Sequence, residues 1–289
     1  MDHLLPEFQE IAKKTDAERI QFIDSRLWIS YPFANQALEI FEDYRHRPKI
    51  NRMPNLYLEG DSNNGKSEIL FEYSERFQPQ LVTGQGTKLD VFMVQAPPKS
   101  DESKMYDHLL KKLNVPINTN ERTQKKFYRL ENVLTSLELK ILIIDEIHNV
   151  ITGTYNRQRD FMTVLKFLAN ELKIILIVAG TKDARRVINT DDQLANRFHP
   201  MIIPKWKLDE VYINLLISFE KRIPLREKSN LAERELGLKI FNLSEGLLGE
   251  ISWIIKESAR QAIRLKKEKI TERIIDDLPY LPPSQRKVK

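Results

Sequence analysis

Apolar residues fall into two kinds of run along this chain. NLYLE (55–59), DVFMVQ (90–95), KILIID (140–145) and KIILIVAG (173–180) are short, nearly unbroken stretches of Leu, Ile and Val. Their length and composition predict strands buried on both faces. A weaker fifth, PMIIP, covers 200–204. Between them apolar positions recur at helical spacing, as in KFYRLENVLTSLEL (126–139) and RDFMTVLKFLANEL (159–172). Strands alternating with helices imply a parallel sheet covered on both faces. The first fifty residues also read as helical: DAERIQFIDSRLW, with Asp16 the expected N-cap, and ANQALEIFEDYRHR. Beyond Trp206 no strand pattern returns. LAERELGLKIFNL, EISWIIKESARQAIRL and TERIIDDL predict a small helical domain that ends at Pro279, Pro282 and Pro283. The expected class is therefore α/β, a five-stranded parallel sheet flanked by helices with a small C-terminal helical domain.

Composition narrows the setting. At 41% hydrophobic and 30% charged residues the chain is ordinary for a globular protein. No apolar run approaches the roughly 20 residues that span a bilayer. The start, MDHLLPEFQE, lacks the basic-then-apolar layout of a secretion signal. The absence of cysteine excludes disulfides and thiolate metal sites, so a reducing cytoplasm is the expected location and no membrane partner is expected. Residues 256–289 hold ten Lys/Arg against five Asp/Glu, a surplus equal to the whole net charge of +5. A solvated helix face and a contact with phosphate backbone or another acidic partner both account for that surplus.

The chemistry is concentrated at strand ends. Gly60-Asp61-Ser62-Asn63-Asn64-Gly65-Lys66-Ser67 fits G-x-x-x-x-G-K-[ST] between a strand and a helix. Glycines let the backbone fold around phosphates with N–H groups inward, and the helix N-terminus favours the negative charge. Lys66 would neutralise β/γ-phosphates and Ser67 would ligate Mg²⁺, with Glu68 the next residue of the nucleotide-binding run. Asp145 ends an apolar strand and is expected to share the metal at the carboxyl edge of the sheet. Glu146 could orient or activate the attacking water. Thr181, after Gly180, could hydrogen-bond the γ-phosphate or the water, or be an ordinary turn threonine. Arg197 in LANRFHP could reach a neighbouring subunit's nucleotide, or lie on the surface; Arg185 and Arg186 are rivals for that role. Together the phosphate loop and the Asp145-Glu146 pair indicate nucleotide hydrolysis.

The runs RMPNLYLEGDSNNGKSEIL, IDEIHNV, AGTKDA and DDQLANRFHPMIIPKW resemble the TniB/TnsC family of AAA+ ATPases that regulate DNA transposition. DSRLWISYPFANQALEIFEDY and SEGLLGEISWIIKESARQAI fit the same pattern, so the resemblance covers most of residues 16–265. It implies an ATP- and Mg²⁺-dependent protein that assembles with its own copies on double-stranded DNA as a ring or helical filament, a heptamer or an open helix. It further implies delivery of the target to a DDE-type transposase, with a TniQ-like protein fixing the location. By this likeness Lys66 and Ser67 carry phosphate and magnesium, Asp145 and Glu146 the Walker B roles, Thr181 the first sensor and Arg197 the finger. Trp28, Tyr31 and Pro32 would flank the adenine. His148 and Asn149 belong to the family-like DEIHN string, where local capping is an equal explanation. Expected boundaries are 1–50 for a helical segment packing on the ATPase core, 51–205 for the nucleotide-binding domain, 206–278 for the lid and 279–289 for a basic tail.

The sequence departs from the AAA+ pattern at one place. Many such lids carry an arginine in G-x-x-R that senses the γ-phosphate, whereas Gly249-Glu250-Ile251-Ser252 has serine there, with Arg260 and Arg264 farther along. DNA contacts are expected from loops 97–104 and 152–160, through Lys99, Lys104, Arg157 and Arg159, which would grip phosphates without reading bases. Two rival functions share these motifs. A replication-type loader of a helicase or clamp uses the same ATPase parts, and a signalling switch NTPase would need no nucleic acid.

Overall fold

The computed structural model describes residues 1–84, 86–98, 101–152, 155–188 and 196–286, giving the backbone alone for 150–152, 155–160, 186 and 187. The chain forms two compact units. One comprises Phe33–Ser62 and Lys66–Ile203; the other comprises Met1–Pro32, Asn63–Gly65 and Pro204–Lys289.

The first unit is built on a parallel sheet. Its strands are β1 (Asn55–Glu59), β4 (Val91–Gln95), β5 (Ile141–Asp145), β6 (Ile175–Gly180) and β7 (Phe198–Ile202), in the order β4-β5-β6-β1-β7. Every residue of β1, β5 and β6 is buried, as their unbroken apolar runs require of central parallel strands. Register aligns the carboxyl ends: Glu59 pairs with Gly180, and Ile144 with Val178. Tyr57, Leu142, Ile144, Leu176 and Val178 join one core with Leu109 and Leu110 of α5 (Glu102–Lys112), Leu130 of α6 (Thr123–Ser136) and Leu165 and Leu168 of α7 (Tyr155–Leu172). Helices α3 (Pro32–Arg45), α4 (Lys66–Ser74) and α8 (Lys182–Ile188) and a 3-10 helix, Ile147–Thr152, are its other described helical elements. A small antiparallel hairpin, β2 (Gln80–Val82) and β3 (Gly86–Lys88), stands apart from this sheet.

The second unit is helical: α1 (Pro6–Ala12), α2 (Asp16–Asp24), α9 (Glu210–Glu220), α10 (Arg234–Ser244), α11 (Leu248–Arg264) and α12 (Glu272–Asp276). Its core gathers Tyr212, Leu216, Ile240, Ile251, Ile255 and Ile263 with Ile23 and Ile29 from the N-terminal region. The α2 N-cap is Thr15 rather than the expected Asp16. Its side chain accepts from the Glu18 N–H while the Glu18 carboxylate accepts from the Thr15 N–H, a capping box. Asp16 instead pairs with Arg19, whose fully buried guanidinium also donates to Glu268 at 2.7 and 2.8 Å.

Candidate functional site

In the α/β unit, the phosphate-loop motif begins where β1 ends. The Gly60 N–H donates to the Gly180 carbonyl at 3.2 Å. A Cβ on Gly60 would stand 3.3 Å from Ile203 Cβ and 3.4 Å from Lys66 Cγ, crowding the lysine's path. Lys66 opens α4 and is only 4% exposed; its ammonium donates to the carbonyls of Gly60 (2.9 Å) and Asp61 (2.8 Å). Burial lowers its pKa, and the nearby Glu146, Asp145 and Asp61 act against that shift. A buried ammonium destabilised by desolvation is suited to an anion such as a phosphate. Asp61, Ser62, Ser67 and Glu68 are exposed beside it.

Asp145 closes β5, nearly buried, with Oδ1 accepting from the Glu146 N–H at 2.8 Å. Glu146 adopts φ +56°, a left-handed conformation that costs a side-chain-bearing residue about 1 kcal/mol or more. Its carboxylate lies 2.7 Å from His148 Nε2, so His148 touches the acid itself. Thr181 follows β6, and its carbonyl accepts from the Tyr57 hydroxyl at 2.5 Å. Because β6 lies between β1 and β5, the sheet gathers Gly60, Thr181 and Asp145 at one edge. The chemistry of this set suits Mg²⁺ as well: a hydroxyl and a buried carboxylate are hard oxygen donors.

The arginines are held within their own unit. Arg185 Nη1 is 3.4 Å from Glu59, a nearly buried acid, and Arg197 Nη1 donates to Asn170 Oδ1 at 2.5 Å. The Arg186 side chain lies outside the described residues, as do Lys99 and the side chains of Arg157 and Arg159. Lys104 is exposed in the first turn of α5. Of the four residues expected to touch DNA, Lys104 alone has a described side chain.

The rest of the motif, Asn63–Gly65, groups with the helical unit. Gly65 has φ +87°, and a Cβ on it would stand 2.9 Å from Leu248 Cδ2 and 3.4 Å from the Tyr31 hydroxyl. That hydroxyl is buried without a hydrogen-bond partner among the described residues, and burial pushes its pKa upward. An orphaned donor beside a glycine of the loop is consistent with a polar ligand there. The Tyr31 ring packs on Trp206 at 5.1 Å, Trp28 is half-buried near Arg26, and Pro32 is exposed. Asn64, 1% exposed, donates to the Pro204 carbonyl at 3.1 Å.

Two residues escaped the sequence reading. Glu250, in the first turn of α11, accepts from Asn63 Nδ2 at 3.0 Å, and Arg286 donates to it through both terminal guanidinium nitrogens. The only sequence signal was the broken G-x-x-R pattern around Glu250. Arg286 had none. Arg260 is engaged with Asp24 at 2.7 Å and with Glu257, while Arg264 is exposed.

A family model described as bacterial TniB protein matches residues 19–208. The fold is similar to Cdc6p from Pyrobaculum aerophilum, 16% identical with TM-score 0.62 over 92% of this chain and 75% of that one. ORC2 from Aeropyrum pernix, solved as ADPNP–ADP complexes, is 15% identical with TM-score 0.63, over 89% and 70%. Drosophila ORC bound to DNA is 12% identical with TM-score 0.58, over 92% and 65%. At such identities the likeness shows the fold alone. No curated protein matches the chain. With a phosphate-loop lysine buried at the carboxyl edge of an AAA+ sheet and a family match over most of its length, the protein belongs to the TniB family and is an AAA+ ATPase.

Proposed function

We propose that the protein is an ATP-dependent regulator of DNA transposition. Copies assemble on double-stranded DNA with ATP, mark the target and pass it to a DDE-type transposase. A TniQ-like protein fixes the location, and hydrolysis dismantles the assembly. The observation that carries this reading is the TniB match, which encloses the phosphate loop, Asp145, Glu146, Thr181 and Arg197. In this reading Lys66 binds the β- and γ-phosphates, and Ser67 and Asp145 hold Mg²⁺. The metal would neutralise charge developing on the transferring phosphoryl group. Glu146 orients the attacking water and takes its proton; Thr181 donates to the γ-phosphate or to that water. Arg197 acts on the nucleotide of a neighbouring copy. Trp28, Tyr31 and Pro32 flank the adenine, and Lys99, Lys104, Arg157 and Arg159 grip DNA phosphates.

Electron microscopy and salt-titrated binding to duplex DNA test the reading. Lys66→Ala is expected to abolish ATP-dependent assembly, and Glu146→Gln to bind ATP and freeze the assembled state. A Lys66→Ala variant that still assembled with ATP dependence intact would overturn the mechanism. The phosphate loop, the Asp145-Glu146 pair and the trans arginine are shared by a second reading, a replication-type helicase or clamp loader. Capture of a helicase or sliding clamp, with none of a transposase, would select it.

A further inference from the structure

The C-terminal segment 279–286 folds back onto the first turn of α11, where Pro279, Tyr280, Leu281 and Arg286 line an open pocket of about 530 Å³ with Asn63, Gly249, Glu250 and Trp253. Glu250 is 5% exposed yet ionised in character. Burial works against its charge, but hydrogen bonds from Arg286, Tyr280 and Asn63 outweigh that and hold its carboxyl below the usual range. The bonds are short: 2.7 and 2.6 Å from Arg286, 2.6 Å from Tyr280 and 3.0 Å from Asn63 Nδ2. Arg286 is aimed by its own Nε–H to the Leu281 carbonyl at 2.7 Å and lies over the Tyr280 ring at 5.0 Å. Tyr280 in turn stacks on Trp253, and the Ser284 N–H donates to Glu245 at 2.9 Å.

On its other side this cluster seizes a residue of the phosphate-loop motif. Asn63 has φ +60°, and its carbonyl accepts from the Gly249 N–H at 2.9 Å while its side-chain amide donates to Glu250. A Cβ at position 249 would overlap the Asn63 amide, so glycine is what permits the approach. Asn tolerates the left-handed region better than most residues but still needs a reason to stay there. Here the reason is a pair of bonds with consecutive residues of α11, one accepted from Gly249 and one donated to Glu250, which the C-terminal segment locks.

We propose that Glu250 is a positioning residue for the phosphate loop. Clamped by Arg286 and Tyr280, it holds Asn63 in the left-handed turn and so sets the loop's readiness for nucleotide. The arrangement answers the missing lid arginine at Ser252: a cation does come to this end of α11, but from the C-terminal segment and onto Glu250. The inference rests on the reading of residues 60–67 as the nucleotide's seat, and it makes the C-terminal segment a determinant of nucleotide affinity.

The test is nucleotide affinity without DNA, measured with a fluorescent ADP analogue, alongside ATPase kinetics. Arg286 is half-exposed, and the melting midpoint without nucleotide checks that its variants fold. Loss of a charged hydrogen-bond pair predicts that Arg286→Ala raises Kd and KM about tenfold with kcat nearly unchanged. Arg286→Lys, keeping the charge, is expected to recover most of the loss. In an Asn63→Ala background Arg286→Ala is expected to add no further loss, since the two act in series. An unchanged Kd in Arg286→Ala, or an equal loss with and without Asn63, would overturn the proposal. Because DNA is absent from the assay, failure to assemble on DNA would sink the function proposed above without altering this comparison. Wild-type protein that bound no nucleotide would overturn both.

Discussion

Lys66 carries a charge that burial disfavours and that an anion would favour. Its ammonium is nearly buried, bonded to two carbonyls, with burial lowering its pKa. Replacing it with methionine, similar in length and without charge, removes a desolvated ion rather than a stabilising pair. Lys66→Met is therefore expected to melt within a few degrees of wild type without nucleotide, or slightly higher. It is expected to lose about a hundredfold or more in ATP affinity, because a charge-assisted bond to phosphate has gone. The measurement is the melting midpoint with and without ATP: binding raises it in wild type by mass action, and the shift should vanish in the variant. A variant that kept the full shift would remove Lys66 from the nucleotide's seat. This residue was legible in the sequence because its whole local environment, strand, glycines and helix start, lies within a dozen consecutive positions.

At the scale of elements, legibility followed burial. The central strands were readable because a strand covered on both faces has to be apolar throughout, and β1, β5 and β6 are. The β2–β3 hairpin was not readable: its strands are three residues each, exposed or half-exposed at every position, with no alternation to betray them. The α2 cap moved by one residue because Thr and Asp stand side by side, and only Thr15 has Glu18 three positions on. The start of α11 was harder still, since what Glu250 does depends on partners 36 and 187 positions away. There the structure reverses an ordinary expectation. Gly→Ala in a helix usually stabilises by about 0.4–1 kcal/mol through the unfolded chain. Gly249→Ala is expected to destabilise instead, because its Cβ would displace the Asn63 amide. The sign of the change in thermal midpoint decides the matter, and a raised midpoint would show that the amide yields at no cost.

Across the whole molecule, the sequence shows two cores, and Met1–Pro32 groups with the helical one through a pairing 249 positions apart. The buried Arg19 guanidinium bonds Glu268 and Asp16 and donates to the Pro224 carbonyl at 3.1 Å, tying α2 into the helical unit. Removing one partner from such a buried pair costs about 3–5 kcal/mol, because the remaining charge is left without compensation. Asp16, bonded by Lys266 and Arg19, has its carboxyl lowered from 3.8 to about 2. Glu268 is held below the ordinary range as well, with burial opposing and Arg19 prevailing. Both carboxyls are depressed in the folded state. Their stabilisation is therefore complete above the unfolded values and is lost as pH falls through the folded ones. All three tryptophans, Trp28, Trp206 and Trp253, belong to the helical unit, so their emission reports that unit's unfolding selectively. In urea titrations followed by that emission, Glu268→Gln is expected to lower stability by about 3 kcal/mol at neutral pH. The gap from wild type should then narrow as pH is taken down through the carboxylate range towards 2. A gap that held constant down to acid pH would mean that shape rather than charge joins the N-terminal helices to this core.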